Sequence, residues 1–320
     1  MHYPTDINLL YDATRKTIQQ LAILCDHLGL TELRQHQYTI RSLKKLYNKA
    51  RKLKHSTSKD EEIKAIKKQE LNDAHERYVS KAKSIIMTAK ALVYFIQGYT
   101  EDYDQQLAGI NTFISYAELQ IDLILRRVIK GEKIPHHEKI FSVFEPHTEW
   151  ISKGKAGVPQ ELGLRVSIMT DQHGFILHHR VMQNETDDKV AVLMVVDTQK
   201  KYPNLTECSF DKGYYSPKNI KALSKILDHL TMPKKGRLSA KDKEHEHSEY
   251  FVRSKMKHSA VESNINALEI HGLDRCPDRG IKGFKRYVGL AVLGRNIQIL
   301  GHNLQQKIIS KKRHFIKIAA

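Results

Sequence analysis

Asp211 and Glu262 are the acidic residues whose surroundings best suit chemistry. Asp211 follows a predicted strand and precedes Lys212, Gly213 and Tyr214. A carboxylate at a strand's C-terminal end, beside a glycine that lets the backbone turn, is well placed to hold a metal ion. Glu262 sits on a predicted helix whose Val261, Ile265 and Leu268 face inward, 51 residues further along the chain. Two-metal phosphoryl transfer needs several carboxylates converging on ions ~3.5–4 Å apart, one activating the attacking oxygen and the other steadying the leaving one. Hard Mg²⁺ selects oxygen ligands, so Asp and Glu suit it and Cys does not. Taken alone, the pair also fits an ordinary turn former and a solvent-facing helical glutamate.

Basic residues lie close to both acids in sequence. The segment Pro233, Lys234, Lys235, Gly236, Arg237 falls between them. It suits contact with phosphates as well as it suits a solvated loop. Its spacing is not that of a nucleotide-binding phosphate loop. Lys255 and Lys257 precede the Glu262 helix and could steady a transferring strand electrostatically. His245 and His247, with acids around them, read as a flexible charged loop ahead of a metal site. Trp150, the only tryptophan, could stack on a base or pack against a neighbouring hairpin.

The elements that must position these residues form two blocks. Residues 7–140 read as helical. One amphipathic run covers 9–28 and ends at Gly29, and a second starts after Thr31 and runs to about Lys54. Ser58 or Asp60 caps a long third run towards Phe95. A fourth, from Thr100, carries Leu107, Ile110, Ile114, Ala117, Ile121 and Leu125 at helical spacing, and Gly131 and Pro135 stop it. This block reads as an antiparallel bundle or a helical hairpin, with the Lys/Arg/Glu-rich stretch 41–77 as a solvated face.

From about 141 the period changes to two: Leu162, Leu164, Val166 and Ile168 alternate with Gly163, Arg165 and Ser167. A turn at 171–174 and a second alternating run, 175–182, complete a hairpin. Thr186 then opens a helix that Pro203 ends, 205–210 forms a strand, Ser216-Pro217 caps a helix and 229–232 forms a last strand. Residues beyond about Ser259 read as helical, interrupted at 272–280. The order β-β-α-β-α-β-α indicates a mixed α/β (α+β) domain over 141–306, behind a helical bundle at 1–140 and ahead of a basic tail at 307–320.

The 320 residues allow two cores. Lys and Arg number 53 against 36 Asp and Glu, a net charge of +17 spread over both halves. Such a field favours polyanions, nucleic acid first among them, and disfavours no other anionic surface. No stretch reaches the ~18 uninterrupted apolar residues of a membrane span, and the start has no secretory pattern. Three well-separated cysteines exclude a disulfide scaffold and a CxxC zinc site. A cytoplasmic protein is expected.

Four segments carry a resemblance: FEPHTEWISKGK (144–155), CSFDKGYYS (208–216), HSAVESNINALE (258–269) and HGLDRCPDRG (271–280), the last followed by a helix with Ala291, Arg295 and Asn296. Together, and in this order, they resemble the DDE transposases of prokaryotic insertion sequences. The resemblance covers nearly the whole chain and is strongest over 141–304. It implies a ribonuclease-H-like catalytic domain with an inserted helical bundle. It also implies Asp211 and Glu262 as the second and third catalytic acids and as ligands of Mg²⁺ (or Mn²⁺). DNA ends and target would be the partners, the active complex a homo-oligomer and the location the nucleoid. Lys153, Lys155, Lys234, Lys235, Arg237, Lys255, Lys257 and Arg295 are the candidate DNA contacts. A basic residue often found about six positions after the glutamate is replaced here by Leu268 and Glu269.

The opening His2-Tyr-Pro-Thr-Asp6 resembles the stretch just after the family's first catalytic aspartate, so a front-truncated, inactive transposase fragment is expected. Asp6 is the nearest substitute, although its place before a helix suits capping with Thr5. The strand that carries the first aspartate is central in the implied fold. Its loss would leave neighbouring strands with unpaired backbone groups, at ~1–3 kcal/mol for each buried one. The rival expectation is a non-catalytic DNA-binding fragment that moderates intact transposase.

Overall fold

The computed structural model describes residues 4–54, 56–152 and 160–319, with side chains to 311. The chain divides into two compact units, Met1–Trp150 and Ile151–Ala320. The division falls at Trp150, some residues beyond the change of period at about 141.

The first unit is built from α1 (Asp6–His27), α2 (His36–Lys52), α3 (Glu61–Tyr99) and α4 (Asp104–Ile124), the last continued by a π-turn, Leu125–Ile129. Local signals set the ends. Thr5 caps α1 by accepting from the Asn8 N–H at 3.3 Å, and Gly29 leaves the helix at φ +65°, where a side chain would be strained. Asp60, not Ser58, caps α3, accepting from the N–H groups of Glu62 and Ile63. The fourth helix starts at Asp104, a turn later than Thr100. Its expected stripe of Leu107, Ile110, Ile114, Ala117 and Ile121 is buried in the core.

Three tyrosines join the first three helices of this bundle. Tyr11 stacks on Tyr47 at 4.7 Å, and Tyr47 lies 6.2 Å from Tyr78. The Tyr47 hydroxyl donates to Asn8 Oδ1 and the Tyr78 hydroxyl to the Ile7 carbonyl, both at 3.0 Å, so the buried oxygens are satisfied. The first turns of α3 are largely exposed and its buried residues begin at Leu71, as a solvated charged face requires.

The second unit is mixed, as the sequence order indicates. β1 (Glu149–Ser152) and β2 (Gln160–Gly163) form one two-stranded sheet where the units meet in sequence. β3 (Val166–Thr170) and β4 (Ile176–Val181) form an antiparallel hairpin, with Ser167 opposite Arg180. Asp171 shapes its turn by accepting from the N–H groups of His173 and Phe175, and Gly174 sits at φ +86°. α5 (Asp187–Gln199) follows. β5 (Glu207–Ser209) and β6 (His229–Thr231) then pair in parallel, with α6 (Pro217–Leu223) in the connection between them.

The hairpin and the parallel pair are separate two-stranded sheets. Among the described residues no strand joins the two. They nevertheless share a core: Met169 and Met182 from the hairpin cluster with Val190 and Met194 of α5, and with Phe210 and Met232 beside β5 and β6. The expected alternating run 162–168 is split: Leu162 belongs to β2 in another sheet and the hairpin strand begins at Val166, with both of its faces covered. Ile168 and Ile176 pack on the opposite side against Leu268 and Val292.

Two elements begin before the sequence suggests. α7 (Ala240–Glu246) replaces the expected flexible loop, and α8 (Glu249–Leu268) starts ten residues ahead of Ser259. A π-turn, Glu269–Leu273, and a short loop lead to α9 (Gly280–Ala319). Asn296 of α9 accepts from the Ile176 N–H at 2.8 Å and donates to its carbonyl at 3.0 Å, which fixes α9 to β4.

Candidate functional site

Asp211 stands on a turn held from three directions. Phe210 is buried and its N–H reaches the Thr231 carbonyl, which anchors the end of β5. The Tyr214 hydroxyl meets Ser167 Oγ of β3 at 2.7 Å. Asn219 donates to the carbonyls of Tyr214 and Asp188, at 2.8 and 2.6 Å, tying the turn to α5. Asp211 itself accepts from the Lys212 N–H at 2.7 Å and remains exposed, so it is a turn former with its carboxylate still open to solvent.

Glu262 is exposed on α8. One hydrogen bond aligns that helix with β5: Ser209 Oγ and His258 Nδ1 are 3.0 Å apart. Asp211 lies two residues beyond Ser209, just past the end of β5, and Glu262 lies about one turn beyond His258 on α8. Both carboxylates are close enough to act on His258. Burial lowers the imidazole's proton affinity, and Asp211 and Glu262 oppose that effect. Two acids distant in sequence thus share one neighbour.

A further acid, Asp187, lies beside Asp211. Burial raises its carboxyl above the ordinary range, Arg165 opposes the rise and Asp211 adds to it. Gly213 makes room for it: a Cβ there would stand 2.8 Å from Asp187 Oδ2. Among the described residues no group of three or more His, Cys, Asp or Glu side chains is gathered closely enough to hold a metal ion. The donors at hand, Asp211 and Glu262, are hard oxygen ligands. They suit a single Mg²⁺ completed by water and phosphate better than a closed cage or an ion pair.

Comparison with protein-family models, curated proteins and solved structures finds no match.

The basic candidates have unequal surroundings. Lys234 Nζ is paired with Asp242 at 2.5 Å and its N–H reaches Glu246 at 2.7 Å, so the segment 233–239 is folded onto α7. Ser239 and Asp242 form a capping box there. Lys235 and Arg237 are exposed, as are Lys255 and Lys257 on α8. Arg295 donates to Asn264 at 2.9 Å and to Gln298 at 2.7 Å, and Asn264 donates to the Gly174 carbonyl. Arg295 thus belongs to the α8–α9–hairpin junction. Lys153 and Lys155 lie outside the described residues.

Other expectations are revised. His245 lies on α7 with its ring 5.3 Å from Phe251, not in a free loop. Trp150 packs on Phe141 at 5.5 Å and His136 at 5.7 Å. Asp6 pairs with Arg127 at 2.6 Å while Thr5 does the capping. Beside the basic segment a cleft of about 450 Å³ opens, lined in part by Tyr215, His229, Tyr250 and Phe251. Ser209, His258 and Asp187 were not singled out by sequence, yet the first two stand two residues before Asp211 and about one turn before Glu262.

Proposed function

We propose that this chain is the catalytic portion of a DDE transposase of a prokaryotic insertion sequence, which cuts DNA and transfers strands by in-line attack of water or a 3′-hydroxyl. The observation that supports this reading is His258, which meets Ser209 at 3.0 Å and feels the charge of both Asp211 and Glu262. The mixed order of strands and helices around one shared core is compatible with a catalytic domain of the ribonuclease-H-like kind. Asp211 and Glu262 would hold Mg²⁺ or Mn²⁺, which supplies charge stabilisation at the transferring phosphate and activates the attacking oxygen. Exposed Lys235, Arg237, Lys255 and Lys257 would hold the DNA backbone, and the rings of the nearby cleft offer stacking surfaces. DNA ends and target are the partners, in a nucleoid-associated homo-oligomer.

Among the described residues the acids do not gather into a group of three, although Asp187 lies beside Asp211. Cleavage by this chain alone is therefore expected to be absent or far below that of a complete set. The same observation favours a second reading, a DNA-binding fragment that joins intact transposase and moderates it.

Mn²⁺ titration followed by electron paramagnetic resonance tests the metal site. Binding should be lost in Asp211→Asn and in Glu262→Gln, and binding that survives both sinks the assignment. Nicking of supercoiled DNA separates the two readings. Metal-dependent nicking abolished by Asp211→Asn supports the enzyme, whereas salt-sensitive binding without cutting supports the regulator.

A further inference from the structure

The C-terminal helix carries an apolar seam that nothing described in the chain covers. Leu290, Leu293, Ile297, Leu300 and Leu304 are each 50–60% exposed on α9. Their spacing is 3, 4, 3, 4, the repeat of positions a and d in a coiled coil. Single exposed leucines are common on protein surfaces, but five in strict heptad register are not scattered. Leu293 and Leu300 occupy the d positions, and Leu290, Ile297 and Leu304 the a positions.

The flanks fit a second copy of the same helix. On a chain of net charge +17, self-association meets repulsion unless the contact is free of charge. The positions beside the seam are uncharged: Gly294 and Gly301 on the open flank, and Gly289, Asn296 and Asn303 on the flank where Asn296 is held by Ile176 of β4; Arg295 and His302 fall on the far side. Gly294 and Gly301 are seven apart, with nothing within 4 Å of an added Cβ. Glycine weakens a helix interior, and at these two places it lets a neighbouring backbone approach closely. Arg286 and Lys307 occupy the next heptad positions and bound the seam at each end.

The area is sufficient. A leucine or isoleucine half exposed offers on the order of 100 Å². Five such side chains on each of two copies would remove about 1,000 Å² from water, the lower bound for a specific interface. The helix is already formed, so no chain ordering opposes the contact.

We propose that α9 is a dimerisation helix, two copies of this chain pairing in parallel along the seam 290–304. The proposal rests on that reading only in locating the contact of its homo-oligomer, and Mn²⁺ binding at Asp211 and Glu262 tests the catalytic part separately. Sedimentation equilibrium of the full chain across the micromolar range should give a dimer. The double variant Leu293→Asp/Leu300→Asp, both at exposed positions, should weaken association at least a hundredfold, with the helical circular dichroism kept. Gln305→Asp, exposed and off the seam, should leave it unchanged. Oxidation should cross-link Leu300→Cys to its counterpart and leave Gln305→Cys uncross-linked. A wild-type chain that stays monomeric overturns the proposal: the seam then serves another segment or another protein. A dimer indifferent to the double variant, or cross-linked through position 305 and not 300, overturns it equally.

Discussion

Asp187 is a carboxyl that the fold keeps at some expense to stability. Burial raises its proton affinity, Arg165 works against that and Asp211 with it. A folded pKa above the unfolded one means stability that is full below the unfolded value and is lost as pH rises through the folded one. At neutral pH the ionised form therefore weakens the fold. Asp187→Asn should raise the Tm at about pH 7, and the gain should disappear near the ordinary carboxylate range of ~4. A lower Tm at neutral pH would show that the attraction of Arg165 and the start of α5 outweighs burial. Acids retained against stability tend to gather at functional sites, and this one adjoins Asp211. Its role was not legible because a Thr-Asp-Asp run reads first as a helix start. The strand end before Asp211 was legible, but of the inward face expected beside Glu262 only Leu268 is buried, and Ile265 is exposed. The residue that links the two acids, His258, needed only the observation that it sits one turn before Glu262.

Among the elements, those with strong local signals were read correctly and those held by tertiary contact were not. The hairpin turn, α1 and α6 each carry a cap or a turn residue, whereas the hydroxyl of Thr186, expected to cap α5, makes no capping hydrogen bond. α7 has no buried residue at all, so no apolar stripe marks it and only its capping box does. α8 buries only Phe251, Asn264 and Leu268 along its length, which hides its first ten residues from any search for periodicity. The division of the strands into separate sheets is likewise absent from local pattern, because pairing partners are set by distant chain. The clamp between α9 and β4 is of this kind. Asn296 reads as a surface amide, yet it takes both backbone groups of Ile176. Asn296→Ala should cost about 2 kcal/mol, since two hydrogen bonds worth ~1 kcal/mol each are lost. Gln305→Ala, exposed on the same helix, should cost within ~0.5 kcal/mol. Urea midpoints at unchanged slope would measure both, and equal effects would mean that the clamp contributes nothing.

At the level of the whole molecule, two cores of unequal size predict two unfolding events. Among the described residues the helical unit buries one continuous cluster of 27 apolar side chains. The second unit divides its apolar residues between a cluster of ten and one of three, and its hairpin and parallel pair each keep an edge that no described strand covers. Stability follows apolar burial to first order, and units with separate cores lose cooperativity with each other. The second unit should therefore open at lower urea than the first. The chain supplies its own reporter for this order. Trp150, the single tryptophan, packs on Phe141 and His136 within the helical unit. Because Trp150 also lies on β1, which pairs with β2, its emission should shift slightly when the strands and α5 are lost, and mainly when the bundle opens. Circular dichroism, which counts helix from both units, should begin to fall earlier and show two steps. Coincident transitions by the two probes would mean that the units fold as one, and an emission shift that leads the loss of dichroism would reverse their order.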